Sequence, residues 1–62
     1  MNKDFIDVKT DRGEMLIRKD KITCVYEVDD GRHKCVIIPS NGDFIKIGVF
    51  DSFESVVHQL MS

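Results

Sequence analysis

Apolar and polar side chains alternate with a period of two at the start of the chain. Between Phe5 and Thr10, Ile6 and Val8 fall on one side and Asp7 on the other, which is the pattern of a half-buried β-strand. The same alternation predicts four further strands, at residues 15–18, 22–28, 33–39 and 44–49. Because the connections are short, each strand is expected to lie antiparallel beside the preceding one.

Glycine-containing turns separate the predicted strands and set the expected register. The turn segments are Asp11-Arg12-Gly13-Glu14, Asp29-Asp30-Gly31-Arg32 and Ser40-Asn41-Gly42-Asp43. Asp-Gly and Asn-Gly favour type I′ hairpins, because these residues tolerate positive φ. Turns centred on each glycine and the residue before it pair Val8 with Ile17, and Val25 with Val36.

The period changes to that of a helix near the C-terminus. The apolar residues at helical spacing are Phe53, Val56, Val57, Leu60 and Met61. Asp51 followed by Glu54 predicts a capping box at the helix start, and a helix this short must dock on the sheet to be stable. The predicted fold class is α+β, mainly β, in a single domain over residues 1–62. It consists of an antiparallel meander of about five strands followed by a C-terminal amphipathic helix.

The predicted sheet has two apolar faces, of which one short helix covers only one. In the expected register the uncovered face includes Cys24, Tyr26, Cys35, Ile37 and Phe44. Exposed apolar patches of this kind usually mark an interface. We therefore predict that these residues form a self-association surface in a homodimer, and closure of the sheet into a barrel is the alternative.

Length and charge narrow the class of protein. A chain of 62 residues buries only about 60% of the surface that its unfolded form exposes, so a partner subunit is a common source of extra stability. The net charge of −2 is not that of a dedicated nucleic-acid binder. Charged residues follow Met1 closely and no apolar run approaches the roughly 20 residues that span a bilayer, so we expect no signal peptide, no membrane segment and a cytoplasmic location.

The cysteines and histidines do not have the spacing of a reactive site. Cys24 and Cys35 are diagonal neighbours in the expected register, about 7–8 Å apart and beyond disulfide reach, so both are predicted to be reduced, buried thiols. Of the pairs that include His33 and His58, only His33-x-Cys35 is close, which is not a zinc pattern. No nucleophile elbow or phosphate loop is present. We predict no catalytic residue, metal or cofactor, and a protein that is not an enzyme.

Basic residues near the strand ends support a different function. They are Arg18, Lys19, Lys21, Arg32 and Lys34. If the two groups meet at one end of the sheet, they could contact phosphates, with Tyr26 and Phe44 stacking on bases. Acidic neighbours such as Asp20 and Asp30 weaken that field.

The order of short motifs is similar to that of a known family. These motifs are Ile6-x-Val8, Gly13-Glu14, Leu16-Ile17, Ile22-x-x-Val25, Ser40-Asn41-Gly42 and the segment from Val49 to Val56. Together they resemble the FlbD-type small bacterial proteins, first noted in flagellar gene clusters, although Asp51 and Ser55 stand where that family usually has Glu. The resemblance implies a small domain without known catalytic residues. A weaker likeness, to LytTR-type DNA-binding domains, involves longer and more basic proteins.

Three functions follow from these patterns. The leading hypothesis is a non-enzymatic protein–protein interaction module, homodimeric through the uncovered face or an edge strand. The first alternative is a nucleic-acid-binding domain that uses the basic strand-end residues. The second is a phage- or mobile-element-encoded factor that binds a host protein.

Overall fold

The computed structural model describes residues 4–40 and 46–62. Its elements are β1 (Phe5–Thr10), β2 (Gly13–Arg18), a single 3₁₀ turn (Lys19–Lys21), β3 (Ile22–Glu27), β4 (Cys35–Pro39), β5 (Ile47–Val49) and α1 (Phe53–Met61). The five strands form one antiparallel sheet, and the helix follows at the C-terminal end. The predicted fold class is confirmed. The Asn41-Gly42 turn and Phe44 lie outside the described residues.

The strand order differs from a simple meander at one place. It is β2-β1-β5-β4-β3, so β2 and β3 are the two edges although they are consecutive in sequence. They are joined by the 3₁₀ turn rather than by a two-residue hairpin turn, and the chain crosses from one edge to the other. The first and last strands pair instead, with Thr10 opposite Val49. Within the described strands β2 and β3 do not pair with each other, so the sheet keeps two edges.

One face of the sheet, called here the inner face, holds the core. Its buried residues come from four strands and the helix, and are Ile6, Val8, Ile17, Cys35, Ile37, Ile47, Val49 and Val56. The helix packs against β1 and β3, where Val56 is fully buried and Phe53 and Leu60 are partly buried. Apolar burial of this kind stabilises a helix that is too short to persist alone.

The first hairpin is shifted by two residues from the predicted register. Ile6 lies opposite Ile17, and Val8 lies opposite Met15 rather than Ile17. Because side chains alternate with a period of two, a shift of two residues leaves every side chain on its predicted face.

The turn chemistry explains that shift. The Thr10 hydroxyl accepts from the Arg12 N–H at 3.1 Å and donates to the Gly13 carbonyl at 2.9 Å. This places the turn centre at Asp11-Arg12, one residue before the predicted centre. Gly13 follows the turn with φ +96°, a conformation that glycine adopts at little cost.

The second hairpin is shifted by one residue, and this changes the faces. Val25 lies opposite Ile37 rather than Val36, and Glu27 lies opposite Cys35. The prediction that Tyr26 faces Cys35 is therefore wrong. A one-residue slip moves a strand's side chains to the other face of the sheet.

A longer loop causes the slip. Asp30 Oδ1 accepts from the backbone N–H groups of Arg32 at 2.9 Å and His33 at 2.6 Å. This side-chain-supported turn replaces the predicted two-residue type I′ turn. As a result, β3 ends at Glu27 and β4 begins at Cys35.

The helix cap is also one residue later than predicted. Ser52, not Asp51, is the N-cap, and its side chain accepts from the Ser55 N–H at 3.1 Å. Asp51 instead accepts from the Lys9 N–H at 2.8 Å. Asp51 therefore pairs with β1 rather than capping the helix.

Candidate interaction surface

The five residues predicted as a self-association surface do not share a face. Cys35 and Ile37 are 0% exposed and belong to the core. Cys24 and Tyr26 are exposed on the opposite, outer face, and Tyr26 is 43% exposed. Phe44 lies outside the described residues. The one-residue slip between β3 and β4 is the physical reason for this separation.

The basic residues form two separate groups. Arg18, Lys19 and Lys21 lie where the chain enters β3, whereas Arg32 and Lys34 follow the other end of that strand. A six-residue strand is about 20 Å long, so the groups do not form the single patch that the nucleic-acid hypothesis needs.

Several of these cations already have acidic or polar partners. Arg18 Nε lies 3.1 Å from Asp20 Oδ1, and the hydrogen bond from Arg18 lowers the pKa of Asp20. Arg32 lies 3.0 Å from Asp11 Oδ1. These local pairs reduce the positive field available to a distant polyanion.

A histidine held between two aspartates is the most elaborate polar cluster in the described residues. His33 Nε2 lies 2.7 Å from Asp11 Oδ2, and His33 Nδ1 lies 3.0 Å from Asp30 Oδ2. The imidazole stacks on Phe50 with ring centroids 5.2 Å apart and lies close over Gly48. The cluster ties the β1–β2 turn to the β3–β4 loop and to the end of β5.

The electrostatics of this cluster favour a charged imidazole. Carboxylates can only accept, so His33 can donate to both only as an imidazolium. Hydrogen bonds to Asp30 and Asp11 raise the pKa of His33, and the bond from His33 lowers the pKa of Asp30. Because both ring nitrogens are engaged, the group is suited to clamping loops rather than to accepting a proton or a metal.

The cysteines lie on opposite faces and are both free. Cys24 is exposed, so the prediction that it is buried is wrong. Cys35 is buried, its thiol donates to the Asp51 carbonyl at 3.4 Å, and burial raises the pKa of this thiol. Among residues 4–40 and 46–62, no cluster of His, Cys, Asp and Glu has the arrangement of a metal site.

The outer side of β1 is closed by side chains as well as by β5. Beyond the short pairing with β5, the Phe50 N–H donates to the Lys9 carbonyl at 2.8 Å, and Asp51 accepts from the Lys9 N–H. Further along, Gln59 accepts from the Asp7 N–H at 2.8 Å and donates to the Asp7 carbonyl at 2.9 Å. Asp51 and Gln59 thus substitute for a neighbouring strand.

The outer edge of β2 has no such cover within the described residues. The backbone N–H of Lys19 donates to the Asp4 carbonyl at 2.8 Å. Because hydrogen-bonded and non-hydrogen-bonded pairs alternate in antiparallel strands, this bond fixes which residues face β1. Glu14, Leu16 and Arg18 therefore direct their backbone N–H and C=O groups away from β1, towards the edge of the sheet.

A groove and an exposed apolar side chain lie beside the β2 edge. A groove of about 210 Å³ runs beside β2 and is lined by residues 15–18 together with Lys21, Pro39 and Ile47. Leu16 is 64% exposed on the outer face, opposite Asp7. A regular edge strand with an exposed apolar residue is a ready template for another strand.

The other edge, β3, is less suited to pairing. It has an irregularity between Ile22 and Cys24, and such bulges discourage strand addition. The helix also packs against this strand. The Glu14-x-Leu16-x-Arg18 pattern is the signal in the sequence that marks β2, but the prediction of an edge strand did not use it.

Comparisons with known proteins give no relative. Within the described residues, no helix is both long enough and apolar enough to cross a membrane. No family model, curated protein or solved structure matches the chain, so the FlbD-type resemblance stays a prediction based on its motifs.

Proposed function

We propose that this protein is a non-enzymatic interaction module that forms homodimers by strand addition at an open edge of its sheet. The observation that carries the proposal is the β2 edge, where Glu14, Leu16 and Arg18 present backbone groups without a strand partner in the described residues. The inner face is occupied by the core, so it is not available for a partner. The dimer would act as an accessory or regulatory subunit.

The engagement of the reactive side chains supports a non-enzymatic role. Both nitrogens of His33 contact carboxylates. Cys35 is buried with a raised pKa, which disfavours the nucleophilic thiolate.

Light scattering across a concentration series from micromolar to millimolar tests the proposal. Edge pairing of one short strand belongs to the class of small, transient interfaces, so we expect the mass to rise from one chain to two within this range. Amide hydrogen exchange of the edge strands at both ends of the series locates the contact. A mass that stays at one chain up to millimolar concentration would contradict the homodimer.

The nucleic-acid hypothesis has weaker support. It relies on two groups of basic residues that lie at opposite ends of β3. Titration with single-stranded and duplex oligonucleotides at low salt tests it, since phosphate contacts weaken steeply as salt rises. The host-binding hypothesis stays a prediction from the small size of the chain and its lack of recognisable catalytic motifs.

A further inference from the structure

We infer that β2 pairs antiparallel with β2 of a second copy, about a twofold axis at Leu16. This inference rests on the proposed homodimer and specifies its edge and register. It follows from two features of the segment Glu14 to Arg18, its backbone directions and its charge pattern.

The backbone of β2 suits this register. With Leu16 opposite Leu16 of the second copy, Glu14 lies opposite Arg18 of that copy, and the symmetry repeats the pair. These are the residues whose N–H and C=O groups point outward. All three therefore fall in hydrogen-bonded pairs, and none of their outward groups is left over within the paired strands.

The charges of the strand are self-complementary in the same register. The sequence from residue 14 to residue 18 reads acidic, apolar, apolar, apolar, basic. Antiparallel pairing about its centre therefore places Glu14 against Arg18 twice, and opposite charges facing across strands are stabilising. Leu16, already exposed, meets its own copy at the axis.

Neighbouring registers lose both ion pairs. A slip of two residues, which keeps the hydrogen-bonded pairing, places either Glu14 or Arg18 opposite Leu16 of the second copy. The other charged residue then lies opposite position 20 or position 12, and both positions lie outside β2. Because opposite charges that face each other across strands are stabilising, the charges favour the register centred on Leu16.

The present contacts of Arg18 are compatible with this pairing. Its side chain is 53% exposed, bonds Asp20 and lies over the Phe5 ring at 5.6 Å. A guanidinium has five N–H donors, so Arg18 can bond Glu14 of the second copy and keep Asp20. On the inner face, Met15 would lie opposite Ile17 of the second copy, beside the open groove.

Charge reversal with complementation tests the inference. Glu14→Arg and Arg18→Glu each oppose like charges twice, and we expect each to weaken dimerisation by about tenfold. An equimolar mixture of the two variants restores both ion pairs in a heterodimer, and so does the double variant with itself. Sedimentation of each variant and of the mixture gives the dissociation constants, and circular dichroism checks that each variant is folded.

A matched control uses the other edge. Glu27→Arg makes the same charge change on β3, where Glu27 is exposed, and the dimer is expected to be unaffected. A wild-type dimer that is insensitive to both β2 reversals but is lost in Glu27→Arg would overturn the inference and leave the proposed function standing. A wild-type chain that remains monomeric would overturn both.

Amide exchange in the unmodified protein covers the case in which a variant fails to fold. The amides of Glu14, Leu16 and Arg18 are expected to become protected as the concentration rises and the mass doubles. If the mass doubles without protection of the Leu16 amide, β2 is not the interface.

Discussion

At the scale of single residues, His33 is held from three sides, by its near neighbour Asp30 and by two residues that are distant in sequence, Asp11 and Phe50. Asp11 and Asp30 bond its two ring nitrogens, and Phe50 stacks on it. Gly48 makes room for the ring, because a Cβ built there would lie 2.6 Å from His33 Cδ2. Arg32, over Phe50 and bonded to Asp11, adds a positive charge beside the cluster.

The His33 clamp is expected to make stability depend on pH. The folded-state pKa of His33 is raised by Asp30 and Asp11, so its contribution is fully present below the unfolded pKa of about 6.5. That contribution is lost as pH rises through the higher folded pKa. Asp30 has a lowered pKa, so its contribution is present above about pH 4 and is lost on further acidification.

Urea unfolding at a series of pH values measures this dependence. Between about pH 6 and pH 8 the free energy of unfolding of the wild type is expected to fall more than that of His33→Gln, which cannot carry the charge. Equal slopes for the two proteins would show that the clamp is not linked to protonation. Because Asp11 and Asp30 are exposed, screening by salt is expected to reduce the difference.

At the scale of elements, the helix stabilises the sheet in two ways. Its apolar side covers one end of the core through Val56. Its other contribution is Gln59, whose amide bonds both backbone groups of Asp7. The side chain of Gln59 therefore completes the hydrogen bonding of β1.

Gln59→Ala is expected to destabilise the fold by about 0.5–1.5 kcal/mol, the usual contribution of a hydrogen bond. The Asp7 amide should also exchange faster with solvent, which heteronuclear NMR detects residue by residue. Gln59→Glu is the matched comparison, since its carboxylate still accepts from the Asp7 N–H but cannot donate to the Asp7 carbonyl, so it keeps one of the two bonds. Unchanged exchange of the Asp7 amide in Gln59→Ala would contradict this role for Gln59.

The type and order of elements could be predicted because periodicity is a local property of sequence. The alternation of apolar and polar residues predicted the strands, and the helical spacing from Phe53 to Met61 predicted α1. The register was harder to predict, because it depends on turn conformations that side-chain hydrogen bonds change. Asp30 supports a loop longer than Asp-Gly suggests, and Ser52 takes the cap that Asp51 was predicted to supply.

The predicted self-association surface was wrong because the predicted register of β3 and β4 was wrong. A one-residue slip moved Cys35 and Ile37 into the core and left Cys24 and Tyr26 outside. Strand order was inaccessible for a different reason, because pairing between β1 and β5 links residues that no local pattern connects. The β2 edge becomes identifiable only once both facts are known.

At the scale of the whole molecule, the single core decides which apolar substitutions are tolerated. Ile37→Glu places a carboxylate at a fully buried position, and we expect it to cost about 4 kcal/mol or more, most of the stability of a small domain. The expected result is loss of cooperative thermal unfolding, not dissociation of a folded dimer. This corrects the expectation that Ile37 lies on a self-association surface.

Tyr26→Glu is the matched control on the outer face, where the side chain is 43% exposed. It should retain a cooperative thermal transition, followed by circular dichroism. A folded Ile37→Glu variant would show that the inner face is less enclosed than the core residues indicate.

The closure of β1 by Asp51 and Gln59 also constrains the order in which the fold is built. The β1–β2 hairpin joins near neighbours, but the contacts of Lys9 with Asp51 and of Asp7 with Gln59 span 42 and 52 positions. Contacts between residues so distant in sequence slow folding, because the entropic cost of closing a long loop comes before the contacts stabilise the chain. During synthesis the hairpin can form early, yet β1 lacks its second set of partners until the helix has left the ribosome. Until then β1 presents the same kind of edge that β2 presents among the described residues of the folded chain.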